Sequence, residues 1–313
     1  MVIGIRPIND FAFKKAFGSP ENKVALIGLL NAILNRPVPI RDVLLENPFN
    51  PQDFLDDKLS VLDVKATDEN GVIYDIEIQL SVRPGLIERL VFYGCEIYAD
   101  QLRTGQDYTR LKPVVIIALV EETIWPEVTQ LHHQFLFTDQ ESGRTLSDTL
   151  SVHTLELGKY NLTEQALATA GQLDRWLYWL LHAEDYEAQR LMELFPEEEI
   201  RRASQTLISI SEITEDKTMY DAREKAIRDQ QWAINVARNE GLIEGEAKGK
   251  IEGKIEGEIK GEIKGKIETI RILQGILLIP VSSEAELNRK SLADLQRMTA
   301  ELQAMIQSRK PNS

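Results

Sequence analysis

The sequence has one cysteine, Cys95, in 313 residues. No disulfide can form within the chain, and a reducing compartment such as the cytoplasm fits best. Long apolar runs are missing too. The longest, residues 114–120 and 276–279, fall well short of the roughly 20 residues that a membrane-spanning helix needs. The N-terminal MVIGIRPINDFAFKK has no basic start leading into an apolar stretch, so no signal peptide is expected. Basic charge is not in excess: the formal net charge is −14. Non-specific coating of nucleic acid depends on Lys and Arg neutralising phosphates, so the balance argues against that role, while it does not exclude an enzyme with a local basic groove. No G-x-x-x-x-G-K segment is present, which removes the usual signal of an ATPase.

What is present is a globular balance, 43% hydrophobic and 27% charged, with length for one sizeable core and a second module. Asn9 can cap a helix over DFAFKKAF that Gly18 ends. Ser19-Pro20-Glu21 reads as an N-cap with proline at the first helical position, opening a helix over residues 21–34. Residues 37–51 read as loop or a short strand, and residues 59–81 as a β-hairpin. Residues 84–102 read as a helix with Leu86, Leu90, Tyr93 and Ile97 on one face. The continuous apolar run 114–120 after Pro113 reads as a strand covered on both sides. Residues 150–157 alternate like another strand. Helical periodicity takes over from Thr163, which puts a boundary near Tyr160. This order implies an α/β core with a helical C-terminal extension.

Residues 241–268 repeat with a period of four, glycine recurring from Gly241 to Gly265. On a helix, residues two apart lie about 200° apart, so a glycine stripe and an isoleucine stripe would lie on opposite faces, with Glu256 and Lys260 forming an i,i+4 pair. Each helical glycine costs about 0.8–1.0 kcal/mol relative to alanine, which close packing against another helix would offset. A strand and a flexible linker are the other readings of the same repeat. The tail, 269–313, reads as further helix broken at Pro280.

The hairpin carries the chemistry. Asn70-Gly71 allows a two-residue turn or a three-residue loop Glu69-Asn70-Gly71 with Gly71 left-handed. The three-residue loop pairs Asp68 with Val72, Lys65 with Asp75 and Asp63 with Glu77. It alone separates the faces: Asp63, Lys65, Asp75, Glu77 and Gln79 on one, Leu62, Val64, Ala66, Tyr74, Ile76 and Ile78 on the other. A buried face pins register. Lys65 and Asp75 can neutralise each other. Asp63 and Glu77 repel, since directly opposed Cβ atoms lie about 4.5–5.5 Å apart. A divalent cation turns that repulsion into attraction, and Mg²⁺ is commonly held by one or two carboxylates. The same carboxylates could instead form an ordinary solvated sheet face.

NDFAFKKAF at 9–17, LDVKA at 62–66, DENGVIYDIEIQ at 68–79, RLVFY at 89–93 and the strand after Pro113 together resemble the PD-(D/E)XK nuclease superfamily. The closer resemblance is to its Rpn-type recombination-promoting nucleases, the putative transposases. It covers residues 1–160 and, loosely, the repeat. The resemblance implies a restriction-endonuclease-like αβββαβ core, a mixed sheet flanked by helices, and Mg²⁺-dependent (or Mn²⁺-dependent) cleavage of DNA. It implies Asp63 and Glu77 as metal ligands, with Asp10 able to add a third from the first helix or simply to favour that helix's N-terminus. Gln79 stands where the superfamily usually has lysine, so Lys65 or Lys14 would have to supply the charge, or activity is weak or lost.

Four segments follow: a nuclease-like core over 1–160, a helical region over 161–240, an oligomerising repeat over 241–268 and a helical tail over 269–313. The function expected is a cytoplasmic, metal-dependent DNA endonuclease that self-associates and does not enter a membrane. Its rival is a catalytically degenerate nuclease fold acting as an oligomeric interaction protein. Other residues carry less. Adjacent His132 and His133 do not converge on one ion, Arg89 could contact phosphate, Tyr93 and Tyr98 are expected in packing, and Cys95 in the core.

Overall fold

The computed structural model describes residues 1–54 and 64–308. Expectations for residues 59–63, including Asp63 and its pairing with Glu77, lie outside the described residues. Among these, the core is a six-stranded mixed sheet with helices on both faces, which bears out the α/β expectation. The strands are β1 (Val43–Leu45), β2 (Val64–Asp68), β3 (Ile73–Gln79), β4 (Val114–Val120), β5 (His132–Phe135) and β6 (Leu150–Glu156), in spatial order β1-β2-β3-β4-β6-β5. Helix α3 (Leu86–Ala99) connects β3 to β4. These two strands are parallel, as are β4 and β6, and a parallel pair needs such a crossover. Every residue of β4 is buried, because helices cover the sheet on both sides of it; hence its unbroken apolar sequence.

The β2–β3 turn takes the three-residue form. Asp68 N–H donates to Val72 O at 3.0 Å and Gly71 N–H to Asp68 O at 2.9 Å. Gly71 has φ +82°, the left-handed region that favours glycine. Lys65 then lies opposite Asp75 and Val64 opposite Ile76. The apolar face of the hairpin, with Val64, Ala66, Tyr74 and Ile76, joins Val115, Ile117, Leu119 and Leu155 in one buried cluster. The other face of β4 and β6, with Ile116, Ala118, Val120, Leu150 and Val152, packs on Leu86 and Leu90 of α3.

Helix α1 (Asp10–Phe17) starts where the sequence indicates: Asn9 Oδ1 accepts from the N–H groups of Phe11 and Ala12. The next start differs. Ser19 makes no cap. Its hydroxyl donates back to Lys15 O at 2.7 Å, residues 20–22 form a 3₁₀ turn, and α2 spans Lys23–Leu34. Helices α4 (Gln172–His182), α5 (Ala188–Leu194) and α6 (Glu198–Glu212) add Trp176, Trp179, Leu191 and Leu207 to the cluster that holds Phe11 and Phe17 of α1. Contacts divide the chain into two units, Met1–Arg228 and Asp229–Ser313, and within the first unit helices α4, α5 and α6 share the sheet's core.

Helix α7 (Thr214–Ile276) runs unbroken for 63 residues and includes the whole repeat as helix, not strand or linker. Lys260 Nζ lies 2.6 Å from Glu256 Oε1. In the second unit, α8 (Glu284–Leu287) and α9 (Leu292–Ser308) bury Ile267, Ile270, Leu287, Leu295 and Leu302 together. No helix among the described residues is long and apolar enough to cross a membrane.

Candidate active site

Alternation along β3 sends Tyr74 and Ile76 to the large apolar cluster and Asp75, Glu77 and Gln79 to the face that carries α3. That face is not solvated. Glu77 is 0% exposed, Asp75 3% and Gln79 9%. Register across the sheet places Ala118 of β4 and then Thr154 of β6 beside Glu77. Helix α3 comes close to this surface: a Cβ on Gly94 would lie 2.6 Å from Leu150 Cδ1 and 3.1 Å from Ile116 Cγ1.

The two oxygens of Glu77 differ. Oε2 accepts from Gln79 Nε2 at 2.9 Å and lies 3.7 Å from Arg89 Nη2 of α3. Oε1 is buried without a hydrogen-bond partner among the described residues, as are Arg89 Nε and Thr154 Oγ1. Burial raises the pKa of Glu77, against the lowering effects of Arg89 and of the Gln79 hydrogen bond. Burial also raises Asp75, and the nearby charge of Glu77 raises it further, with Lys65 opposing. Two carboxyl groups on one buried face, an unpartnered oxygen and an arginine beside them form a site whose charges do not balance internally. Buried polar groups in folded proteins are nearly all hydrogen-bonded, so three exceptions gathered on one sheet face make this face the candidate site.

The sequence of residues 7–237 matches the PD-(D/E)XK nuclease family transposases. The chain belongs to that family. No curated protein and no solved structure matches it. The match covers the whole sheet and the helices on both its faces, and it contains Glu77-Ile78-Gln79 on β3. A family of nucleases has its chemistry at phosphodiester bonds, where divalent cations are held by carboxylates.

Within this PD-(D/E)XK protein, the other residues singled out from sequence fall as follows. Asp63 lies outside the described residues. Lys65 faces Asp75 across the hairpin; its amino group sits on Glu46 Oε2 at 3.0 Å, while its charge still lowers the pKa of Asp75. Asp10 accepts from Arg223 Nε of α7 at 2.5 Å, and no contact joins it to Glu77 among the described residues. Lys14 is buried in α1. Cys95 is exposed, contrary to the expected core position, because the buried stripe of α3 is Leu86, Leu90 and Gly94 and residue 95 turns outward. Tyr93 and Tyr98 are half-buried on the same helix. The histidines separate, as adjacent strand residues must. His132 Nε2 meets His153 Nδ1 at 2.9 Å, whereas His133 Nε2 lies 3.6 Å from Glu156 Oε1. Burial, followed by the proximity of His132, lowers His153 to about 4.

Three features escape sequence reading. Asp75 is an acid of the site and not merely the partner of Lys65; its spacing of two from Glu77 was the available signal. Thr154 reaches the same row only through pairing across two strand boundaries, which no local pattern encodes. Glu156 is fully buried and satisfied by Lys159 Nζ at 2.7 Å and the N–H groups of Ile124 and Trp125, which fixes the segment after β4.

Among the described residues no cluster of three or more His, Cys, Asp or Glu side chains is arranged to hold an ion. The donors that are present suit a hard divalent cation: buried carboxylate oxygens, one of them unpartnered, with no thiolate or imidazole beside them.

Proposed function

We propose that this protein is a divalent-metal-dependent DNA endonuclease that uses Mg²⁺ or Mn²⁺ and acts in recombination or transposition. The observation that carries the reading is Glu77: fully buried in a central strand, with Oε1 unpartnered among the described residues, within the Glu-Ile-Gln of a nuclease family. Glu77 and Asp63 would hold the ion, and Asp75 adds a second buried acid on the same face. A bound divalent cation supplies a nucleophilic water at neutral pH and charge for the leaving oxygen. The chain's own residues do the positioning. The Gln79 amide orients the Glu77 carboxylate through its bond to Oε2, leaving Oε1 to the ligand. Helix α3 covers much of this face, and limiting water there strengthens each charge interaction.

We further propose that copies associate through the repeat. The side chains of Ile251, Ile255 and Ile259 are exposed on α7, in line with Ile263 and Ile267, which the second unit covers. A pair of copies could cut both strands of a duplex.

The test is nicking of supercoiled DNA in titrations of Mg²⁺ and Mn²⁺, comparing the wild type with Asp63→Ala and Glu77→Ala, with folding checked by circular dichroism. Metal-dependent nicking by the wild type, lost in both folded variants, is the expected result. A wild type that never nicks and whose melting temperature the ions leave unchanged would sink the reading and favour a non-catalytic oligomeric protein.

A further inference from the structure

Hydrolysing a phosphodiester beside Asp75 and Glu77 brings more negative charge to a buried face that already holds two carboxyl groups. The bound ion offsets part of it, and a cation from the chain can offset more. Gln79 is a neutral amide. Lys65 is engaged by Glu46 at 3.0 Å. Arg89 lies beside Glu77, one turn into α3 and flanked by the buried Leu86 and Leu90, which fix its backbone against the sheet.

Its contacts leave it poised. Arg89 Nη2 lies 3.7 Å from Glu77 Oε2, beyond hydrogen-bonding distance, and that oxygen already takes the closer Gln79 amide at 2.9 Å. Arg89 Nε is buried with no acceptor among the described residues. Yet 33% of its side chain is exposed, so a ligand can reach it. A guanidinium presents a planar fork of donors that matches phosphate oxygens two at a time.

We propose that Arg89 is the phosphate-binding residue of this site, leaving Glu77 on substrate entry to take the non-bridging oxygens of the scissile phosphodiester. The assignment rests on the nuclease reading. Arginine stays protonated throughout, so its role is charge stabilisation as negative charge develops on the phosphoryl oxygens, and not proton transfer from the attacking water. In the absence of DNA it partly screens Glu77, which a cation at the carboxylates would otherwise have to itself.

The experiment compares wild type, Arg89→Gln and Arg89→Lys in Mn²⁺-dependent nicking of supercoiled DNA, with kcat and KM resolved, and measures the rise in melting temperature on adding Mn²⁺ alone. Removing a charge that acts on the transition state should lower kcat about 100-fold or more, with a smaller change in KM. Arg89→Lys should recover part of the loss. The Mn²⁺-induced rise should persist in Arg89→Gln, because the carboxylates remain and a competing cation is gone. Unimpaired nicking by Arg89→Gln beside an active wild type would overturn the assignment alone. So would loss of the Mn²⁺ response together with a fall in melting temperature, which would mark Arg89 as a structural partner of Glu77. An inactive wild type overturns the nuclease reading and this assignment with it.

Discussion

Burial gives Asp75 and Glu77 a pH dependence whose sign follows from linkage. Both carboxyl pKa values lie above their ordinary values in the folded chain. Between the unfolded and folded values the native state holds more protons than the unfolded one, so stability falls as pH rises through that window. The charge at Glu77 is opposed by an incomplete set of partners, and leaving a buried polar group unsatisfied costs about 1–3 kcal/mol. Glu77→Gln should therefore raise the stability of the metal-free protein by about that amount at pH 8 and change it little at pH 4, as read by chemical denaturation across pH. The same substitution should abolish metal-dependent nicking. A variant that is less stable than wild type at pH 8 would show that Oε1 is satisfied in solution. Sequence alternation was enough to put Asp75, Glu77 and Gln79 on one face. It could not say whether that face met water, because exposure depends on α3, whose docking is set by the approach of Gly94 to Ile116 and Leu150.

At the level of elements, the hairpin was the most legible. Only one register separates its polar and apolar side chains, and the turn residues needed for that register are present. Gly71 sits at φ +82°, and a Cβ there would lie 3.1 Å from Lys112 Cε. Gly71→Ala should cost about 1–2 kcal/mol, measured by denaturation, whereas Gly143→Ala at the loop tip after β5, also at positive φ but with open space around it, tests how much of that cost is conformational. Equal losses would assign all of it to the backbone. Strand β5 was not legible. It is a four-residue edge strand, His132–Phe135, without alternation, and it exists because β6 offers it a partner. The α2 start was misread for a related reason: Ser19 had the right type for a cap, but its side chain turns back to donate to Lys15 O and accepts no N–H from the turn that follows.

Across the whole molecule, the repeat poses the sharpest question. A helix with glycine at every fourth position for seven turns is poor in intrinsic propensity, and nothing lies within 4 Å of a Cβ built on any glycine from Gly241 to Gly265. Two outcomes of one experiment separate the possibilities. In an isolated helix, replacing Gly249, Gly253 and Gly257 with alanine should raise helicity and stability by about 0.8–1.0 kcal/mol per site. If the proposed association instead uses those glycines as the contact with a second copy, the triple variant should dissociate, measured as a fall in mass by light scattering. Unchanged mass with higher helicity would remove the glycine stripe from any interface and leave the isoleucines as its remaining candidate.

The sequence by itself determined the α/β class, the hairpin register, the central place of β4 and the helical extension, because each is written in local periodicity and turn chemistry over a few residues. It also determined that carboxyl groups share a sheet face. The tertiary structure alone decided that this face is buried and that Arg89 lies beside Glu77. It also decided that Lys65 and Asp10 are engaged by Glu46 and Arg223, and that α4, α5 and α6 complete the core. Those outcomes depend on which distant segments meet, and long-range packing has no period for a sequence to display.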